Sequence, residues 1–118
     1  MKKKIVSFIV CLLLLTACGT SYETIDSNVA MELIENEAIV IDVRTLDEYN
    51  TGHIKDSINI PVENISSIEY DKDTVIIVYC ASGMRSSNAA KTLIDLGYTN
   101  VYNLDGGIIN WDRELVME

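Results

Sequence analysis

Short apolar runs alternate with amphipathic segments along most of the chain. The clearest run covers residues 75–78, Val-Ile-Ile-Val, which are β-branched throughout and apolar on both faces, as is typical of a strand buried between two layers of helices. Residues 38–41 form a second run of strand type. Apolar residues recur at helical spacing over residues 28–36 and again over residues 85–96, before Gly97. The pattern therefore predicts buried strands that alternate with amphipathic helices.

Shorter elements fill the remaining sequence. We predict strands at residues 22–25, 58–60 and 101–104, a brief helix at residues 47–50, and a last helix at residues 108–116. Asp26 or Ser27 is the candidate cap of the first helix. Strands that alternate with helices form a mainly parallel sheet with helices on both of its faces. The predicted fold class is therefore α/β, with three layers.

The first residues have a different character. Lys2, Lys3 and Lys4 precede an apolar run over residues 5–15, which is too short to span a bilayer comfortably, since spanning takes about 20 residues. A positive start followed by a short apolar run is typical of an export signal. A buried core helix would leave the three leading lysines unexplained.

The segment Leu15-Thr16-Ala17-Cys18 resembles the lipobox of bacterial lipoproteins. The resemblance implies cleavage before Cys18 and attachment of a diacylglyceryl group to its sulfur. Residues 1–17 would then be a lipoprotein signal peptide and residues 18–21 a lipidated tether. We expect residues 22–118 to form one domain, held outside the cytoplasm on a bacterial membrane by the lipid on Cys18.

Charge and cysteine content narrow the chemistry. Without the three signal lysines, six basic residues would face 18 acidic ones, a formal net charge of −12. We expect no nucleic-acid partner, because nucleic-acid affinity depends on neutralising phosphates. Cys11 would leave with the signal and Cys18 would carry lipid. Cys80 would then remain as a free thiol, with no disulfide partner within the chain.

The loop that begins at Cys80 carries the candidate chemistry. It connects the clearest strand to a helix, so that its backbone N–H groups can curl into an anion nest. Gly83 permits the turn, and Arg85 and the helix N-terminus add positive potential. Each of these features lowers the pKa of a thiol, so we predict a reactive thiolate rather than an inert buried cysteine. Ser86 and Ser87 are candidate caps of the helix.

The segment from Cys80 to Ser86, Cys-Ala-Ser-Gly-Met-Arg-Ser, resembles the active-site loop of single-domain rhodanese-like sulfurtransferases. Residues 41–49, 52–54 and 58–61 resemble the first signature of that family, and residues 104–108 with Trp111 resemble the closing one. Together these stretches cover nearly the whole chain after residue 22, in the order of the family. Residues 55–57, Lys-Asp-Ser, depart from the small Gly-Ala pair that is common in the family.

The resemblance implies a rhodanese-like fold and a mechanism. Cys80 would attack the outer sulfur of a thiosulfate- or persulfide-type donor and hold it as a persulfide, and a thiol, cyanide or protein acceptor would then collect it. No metal and no organic cofactor are implied. The residues implied in substrate binding are Ala81, Ser82, Gly83, Met84 and Arg85.

Other polar residues have weaker assignments. Asp42 and Arg44 follow a strand and are candidates for framing the pocket, with a structural ion pair equally open. We expect His53, the only histidine, to position a loop, with Glu48 as its candidate partner, rather than to act as a base. Trp111 is interpreted as a core anchor rather than a binding platform.

Two other functional classes use similar features. Phosphatases and arsenate reductases surround an oxyanion with a longer Cys–Arg loop, whereas only four residues, 81–84, separate Cys80 from Arg85 here. A non-catalytic rhodanese-fold module that binds a partner or senses redox state often lacks the cysteine, which this chain keeps. Because Arg85 is the only cation of the loop in an acidic domain, we expect thiosulfate to be a poorer donor than neutral or mixed-charge persulfides or polysulfides.

Overall fold

The computed structural model describes residues 21–117, so the predicted signal peptide and Cys18 lie outside the described residues. The strands are β1 Glu23–Ile25, β2 Ile39–Asp42, β3 His53–Ile54, β4 Ile58–Asn59, β5 Val75–Tyr79, β6 Asn100–Leu104 and β7 Leu115–Val116. The helices are α1 Ser27–Glu35, α2 Leu46–Asn50 and α3 Met84–Asp95, with 3₁₀ turns at Val62–Ser67 and Gly107–Asn110. In the part of the chain that these elements cover, no helix has both the length and the apolar character needed to cross a bilayer.

Five strands form one sheet in the order β1-β6-β5-β2-β4, and all of its neighbouring pairs are parallel. β5 lies at the centre, as its β-branched sequence predicts. Ile76 and Val78 pack against one face of the sheet, and Ile77 and Tyr79 pack against the other. All four side chains are almost completely buried. A strand that is apolar on both faces is therefore covered by a layer on each side.

The two covering layers confirm the predicted α/β class. Ala89 and Leu93 of α3 lie in the core on one face, together with Ile65 from the first 3₁₀ turn. Ala30 of α1 lies in the core on the other face, with Leu33 packed against it. Parallel strands place their carboxyl ends at one edge of the sheet, and loops at that edge carry ligand sites in such folds. The loop that follows β5 lies at this edge.

Local sequence fixes where the first two helices begin, beside the carboxyl-end edge of the sheet. The Asp26 carboxylate accepts a hydrogen bond from the backbone N–H of Val29 at 2.9 Å, which makes Asp26 the cap of α1. Thr45 caps α2 in a capping box, in which Thr45 Oγ1 accepts from the Glu48 N–H and Glu48 Oε1 accepts from the Thr45 N–H. The box fixes Glu48 at the start of α2, beside the end of β2.

The predicted last helix at residues 108–116 is wrong. Only the short 3₁₀ turn Gly107–Asn110 forms there, and Trp111 returns to extended backbone. The chain then runs as β7, which pairs antiparallel with β3 in a small second sheet. Pairing with the free edge of β3 satisfies the backbone of this segment better than a helix with a weak apolar face. Trp111 packs against the α1 side of the core, as predicted.

Candidate active site

Cys80 follows β5 directly and opens the loop into α3, with only 1% of its surface exposed. Its Sγ accepts hydrogen bonds from the backbone N–H of Gly83 at 3.0 Å and from the backbone N–H of Ser86 at 3.4 Å. The Ser86 hydroxyl lies 3.4 Å from the same sulfur. The loop therefore turns its donors inward around one sulfur atom, in the arrangement of an anion nest.

Gly83 makes the turn of this loop. Its φ of 110° lies in the left-handed region, which residues with a side chain rarely adopt. Gly83 is also the N-cap residue of α3, and no side chain caps that end of the helix. The prediction that Ser86 and Ser87 are caps is therefore wrong. Ser86 is buried against the sulfur, and the Ser87 hydroxyl lies 2.6 Å from the hydroxyl of Tyr22.

Two opposing effects set the pKa of the Cys80 thiol. Burial raises it, because a less polar surrounding disfavours the thiolate. Hydrogen bonds from the hydroxyl and N–H of Ser86 and from the N–H groups of Gly83 and Ser82 lower it by stabilising the charged sulfur, and they prevail. The pKa of Cys80 therefore lies below its ordinary value, so the thiolate is populated at lower pH than in a free cysteine.

Replacing Ser86 with alanine should raise the pKa of Cys80. Loss of one hydrogen bond to a charged group corresponds to a shift of about one pH unit. The rate of Cys80 alkylation by iodoacetamide, followed across pH, measures this midpoint. Ser87→Ala is the matched control, since Ser87 bonds to Tyr22. An equal shift in both variants would contradict a specific role for the Ser86 hydroxyl.

Arg85 points toward α2 rather than standing free over the sulfur. Its Nη1 and Nη2 donate to Oε1 and Oε2 of Glu48 at 2.8 and 3.0 Å, a two-pronged ion pair. Both side chains remain about a third exposed. The sequence did not predict this partner, although the Thr45-x-x-Glu48 capping box places the carboxylate at the same edge of the sheet. The one cation of the loop is thus already neutralised.

Ion pairing with Arg85, aided by hydrogen bonds from Thr45, lowers the pKa of Glu48 to about 2. A depressed carboxylate pKa contributes stability above the ordinary pKa of the group, and that contribution is lost as the pH falls through the folded value. The Arg85–Glu48 pair should therefore persist through mild acid and break only as the pH approaches 2. Its contribution to folding is small, because solvent screens a pair with this exposure.

The turn after β6 supports the Cys80 loop from the side. The backbone N–H groups of Ile108 and Ile109 donate to the carbonyl oxygens of Cys80 and Ala81 at 2.9 and 3.3 Å. Gly107 has a φ of 61° and is buried directly against those carbonyl groups. A glycine is needed here because the two backbones approach too closely for a side chain. The turn at residues 105–107 therefore holds the backbone of the Cys80 loop in place.

Asp42 and Arg44 form a buried ion pair with each other. Arg44 donates to both carboxylate oxygens of Asp42 at 2.7 to 3.1 Å, and its Nη2 also donates to the carbonyl oxygen of Gly52 at 2.7 Å. The two residues are 0% and 5% exposed. Of the two interpretations left open, the geometry favours a structural pair that ties the end of β2 to the turn before β3.

His53 contacts Tyr49 rather than Glu48, the candidate partner named above. Its ring stacks on Tyr49 with centroids 3.6 Å apart, and Nδ1 lies 2.8 Å from the carbonyl oxygen of Tyr49. Glu48 is engaged by Arg85 instead. The histidine is 3% exposed. The stacked pair joins β3 to α2. Among residues 21–117, no hydrogen bond connects the imidazole of His53 to the sulfur of Cys80.

Three exposed apolar side chains belong to the Cys80 loop or to segments bonded to it, and we call them the apolar rim: Leu46, Met84 and Ile109. They are 58%, 77% and 73% exposed. Met84 belongs to the loop, Ile109 bonds to Ala81 through its backbone, and Leu46 starts the helix that carries Glu48. Ala81 is half-buried and Ser82 exposed within the same loop. The segments around the Cys80 loop therefore carry exposed apolar side chains, although the composition of the chain is acidic.

Within residues 21–117, no group of three or more His, Cys, Asp or Glu side chains is arranged to hold a metal ion.

A model of the rhodanese-like domain family matches residues 27–114. The chain belongs to this family. The match includes the Cys80 loop, the Asp42–Arg44 pair and the turn at Gly107, so the whole site lies inside the rhodanese-like domain.

Known relatives of the rhodanese-like domain share both sequence and fold. Thiosulfate sulfurtransferase GlpE of Shewanella oneidensis is 32% identical over 95 residues, which cover 78% of this chain and 94% of that protein. The crystal structure of a rhodanese-related protein from Thermoplasma volcanium matches with a TM-score of 0.73 and 32% identity, covering 82% of this chain and all of that one.

A third relative is a longer protein. The tRNA uridine(34) hydroxylase of Erwinia tasmaniensis is 35% identical over 89 residues, which cover 69% of this chain and 25% of that protein. The rhodanese-like domain therefore corresponds to about a quarter of that relative. Taken with the sulfurtransferase, these relatives support sulfur transfer or related chemistry for the domain, without fixing a donor.

Proposed function

We propose that the domain is a sulfurtransferase in which Cys80 carries the sulfur. The thiolate attacks the outer sulfur of a thiosulfate- or persulfide-type donor, a new S–S bond forms, and the donor's own S–S bond breaks. The bonding pair leaves with sulfite or with the donor thiolate. An acceptor nucleophile then attacks the outer sulfur of the Cys80 persulfide, and its bonding pair returns to Cys80 as thiolate. No redox partner is needed, because sulfur passes between nucleophiles.

The hydrogen-bond donors around the Sγ of Cys80 are the main support for this proposal. Gly83 N–H, Ser86 N–H and the Ser86 hydroxyl lie 3.0 to 3.4 Å from the sulfur. A terminal persulfide sulfur is anionic, and the Ser82 N–H also stabilises negative charge on the Cys80 sulfur. Preorganised N–H groups stabilise such an anion without further rearrangement. The proposed substrate-binding residues, 81–85, act mainly through this backbone.

The ion pair of Arg85 speaks against phosphatase or arsenate reductase chemistry. Those reactions need a guanidinium aimed at an oxyanion, whereas Arg85 is bound at both nitrogens by Glu48. The loop between Cys80 and Arg85 is also only four residues long. A ring of this size suits a single sulfur atom rather than a tetrahedral anion. Aryl phosphate hydrolysis that rivals sulfur transfer in rate would reverse this preference.

Initial-rate kinetics test the proposed function. With a persulfide donor and cyanide or a thiol as acceptor, double-reciprocal plots should give the parallel lines of a ping-pong reaction. Absence of turnover with every donor and acceptor pair would leave the alternative of a non-catalytic module. For such a module the apolar rim would be the partner-binding surface.

We further propose that neutral or mixed-charge persulfides and polysulfides are better donors than thiosulfate. Glu48 cancels the charge of Arg85, so the dianion finds no unpaired cation on the loop. The apolar rim favours an organic or sulfur-rich donor instead. A specificity constant kcat/KM that is markedly higher for thiosulfate than for an organic persulfide would refute this preference.

Glu48→Gln should shift donor preference toward thiosulfate. Removing the carboxylate leaves Arg85 free to attract the dianion, and we expect kcat/KM for thiosulfate to rise by several-fold to about tenfold, the scale of one weakly screened ion pair. Asp47→Asn is the matched control, since it removes the same charge one residue away, from a side chain outside the described ion pairs. Equal increases in both variants would mean that only net charge matters.

The cellular place of this chemistry is also a proposal. The lipobox at residues 15–18 suggests that the domain is anchored outside the cytoplasm of a bacterium through lipid on Cys18, with small sulfur compounds or a protein as partners and no nucleic acid. Radiolabelled fatty acid fed to expressing cells should enter the full-length protein. Cys18→Ala should prevent the labelling, and label retained by that variant would refute the anchor.

A further inference from the structure

Asn103 lies near the end of β6, behind the Cys80 loop, and is 6% exposed. Its Oδ1 is 2.6 Å from the Oγ of Ser86, whose side chain is completely buried. Ser86 Oγ lies in turn 3.4 Å from the sulfur of Cys80. The three side chains form a buried row from β6 through α3 to the sulfur. No motif in the sequence singles out Asn103.

The Ser86 hydroxyl has more acceptors than protons. Oδ1 of Asn103, the carbonyl oxygen of Gly83 and Sγ of Cys80 lie 2.6, 3.2 and 3.4 Å from it. A hydroxyl holds one proton and donates along one main direction. With Oδ1 at the shortest distance, that proton is drawn to Asn103 and away from the sulfur. The hydroxyl then stabilises the thiolate only when Asn103 stops competing for the proton.

A turn of the amide removes the competition. A half-turn of the Asn103 side-chain amide exchanges Oδ1 and Nδ2 with almost no change in shape. Nδ2 would then donate to Ser86 Oγ and leave the hydroxyl proton directed at the sulfur. None of the hydrogen bonds among residues 21–117 holds Nδ2 in place, and Asn103 borders a cavity of about 540 Å³ beside Ser82 and Gly83. The amide therefore has room and freedom to turn.

We propose that Asn103 is a positioning residue that couples the direction of the Ser86 hydroxyl to the protonation state of Cys80. In the thiol state, S–H donates to Ser86 Oγ, and the Ser86 hydroxyl donates to Asn103 Oδ1. In the thiolate state, Asn103 Nδ2 donates to Ser86 Oγ, and the hydroxyl donates to S⁻. Only the thiol proton leaves, to solvent. The inference rests on the proposed function, in which Cys80 is the reacting group.

Four charged groups near the Cys80 loop are matched in two ion pairs. Arg85 of α3 pairs with Glu48 of α2, and Asp42 at the end of β2 pairs with Arg44. Lys91 of α3 and Asp105, after β6, line the same cavity as Asn103, and both are exposed to solvent, which screens their charges. Because the near charges are paired, neutral hydrogen bonds decide the balance between thiol and thiolate. A residue that controls one of them should therefore have a measurable effect on that balance.

Asn103→Leu removes the amide while keeping its approximate shape. Because this substitution removes the acceptor that competes with the sulfur for the Ser86 proton, we expect the midpoint of Cys80 alkylation by iodoacetamide to fall, by up to about one pH unit. In the double variant Ser86→Ala/Asn103→Leu, the midpoint should equal that of Ser86→Ala alone, because Asn103 acts through Ser86. Asn103→Asp, which when ionised can only accept, should raise the midpoint instead, because the carboxylate holds the Ser86 proton away from the sulfur.

Asn100→Leu is the matched control on the same strand, since Asn100 bonds to the carbonyl oxygen of Asp73 at the far end of β6. It should leave the midpoint unchanged. Either of two results overturns the proposal. One is an alkylation midpoint that Asn103→Leu leaves unchanged, and the other is a shift from Asn103→Leu that is equally large in the unmodified protein and in the Ser86→Ala variant. Alkylation of Cys80 needs no sulfur donor. The coupling of Asn103 to Cys80 can therefore be refuted while sulfur transfer is confirmed, and it can be confirmed in a protein that transfers no sulfur.

Discussion

Replacing Cys80 with serine should abolish sulfur transfer, with kcat/KM falling by roughly three orders of magnitude or more. A serine hydroxyl has a far higher pKa than a thiol and forms no stable bond to a sulfane sulfur. The donors from Gly83 and Ser86 would then surround a neutral oxygen rather than a thiolate. Turnover of an organic persulfide with cyanide as acceptor, followed as thiocyanate release, measures the loss.

A loss of turnover in Cys80→Ser is informative only if the variant still folds, so its folding is measured as the control. Cys80 is buried, so serine there leaves a polar group among apolar neighbours, although the same N–H groups remain available to it. Circular dichroism and thermal unfolding should show a folded protein. Turnover within about tenfold of the unmodified protein would contradict the role of Cys80, whereas an unfolded variant would call for Cys80→Ala in its place.

The second large effect is expected at Gly107. A Cβ there would overlap the carbonyl oxygen of Cys80 and approach that of Ala81 to 2.7 Å, against backbone that cannot give way. The φ of 61° adds strain for any residue with a side chain. Gly107→Ala should therefore lower the free energy of unfolding by about 2–4 kcal/mol and displace the Cys80 loop. Denaturant unfolding and persulfide turnover measure the two effects.

Gly106→Ala is the matched control for this substitution. Gly106 has a similar φ of 71°, so the backbone strain is nearly the same. Its Cβ would meet the side chain of Asn110, which can move aside. The difference between the two variants therefore isolates the contact with the Cys80 loop. If Gly106→Ala lost as much stability and turnover as Gly107→Ala, the loop contact would not be the cause.

The sequence predicted the sheet better than the end of the chain. Strand β5 and helix α3 were placed within a residue or two, because each has a strong period and clear boundaries such as Gly97. The last helix was wrong and the β3–β7 pair was missed. Two-residue strands carry no periodic signal, and their pairing depends on contacts between segments far apart in the sequence.

At the site, the sequence predicted the candidate nucleophile, Cys80, but not the partners of the side chains around it. Cys80, Gly83 and the nest follow from a strand, a loop and a helix that are adjacent along the chain. The partner of Arg85 is 37 residues away, and Asn103 meets Ser86 across two elements. Such pairs depend on how α2 and β6 pack beside α3. The Thr45-x-x-Glu48 spacing in the sequence is typical of a capping box, whereas only the folded chain shows that the Glu48 carboxylate also neutralises the charge of Arg85.

Intact-mass measurement of the persulfide tests the central claim most directly. The purified protein, incubated with an organic persulfide or thiosulfate and then separated from the donor without a reductant, should gain the mass of one sulfur atom. Cyanide or a thiol should remove that mass, and Cys80→Ser should never acquire it. A protein that stays unmodified with every donor, or a Cys80→Ser variant that gains the same sulfur, would contradict sulfur carriage by Cys80.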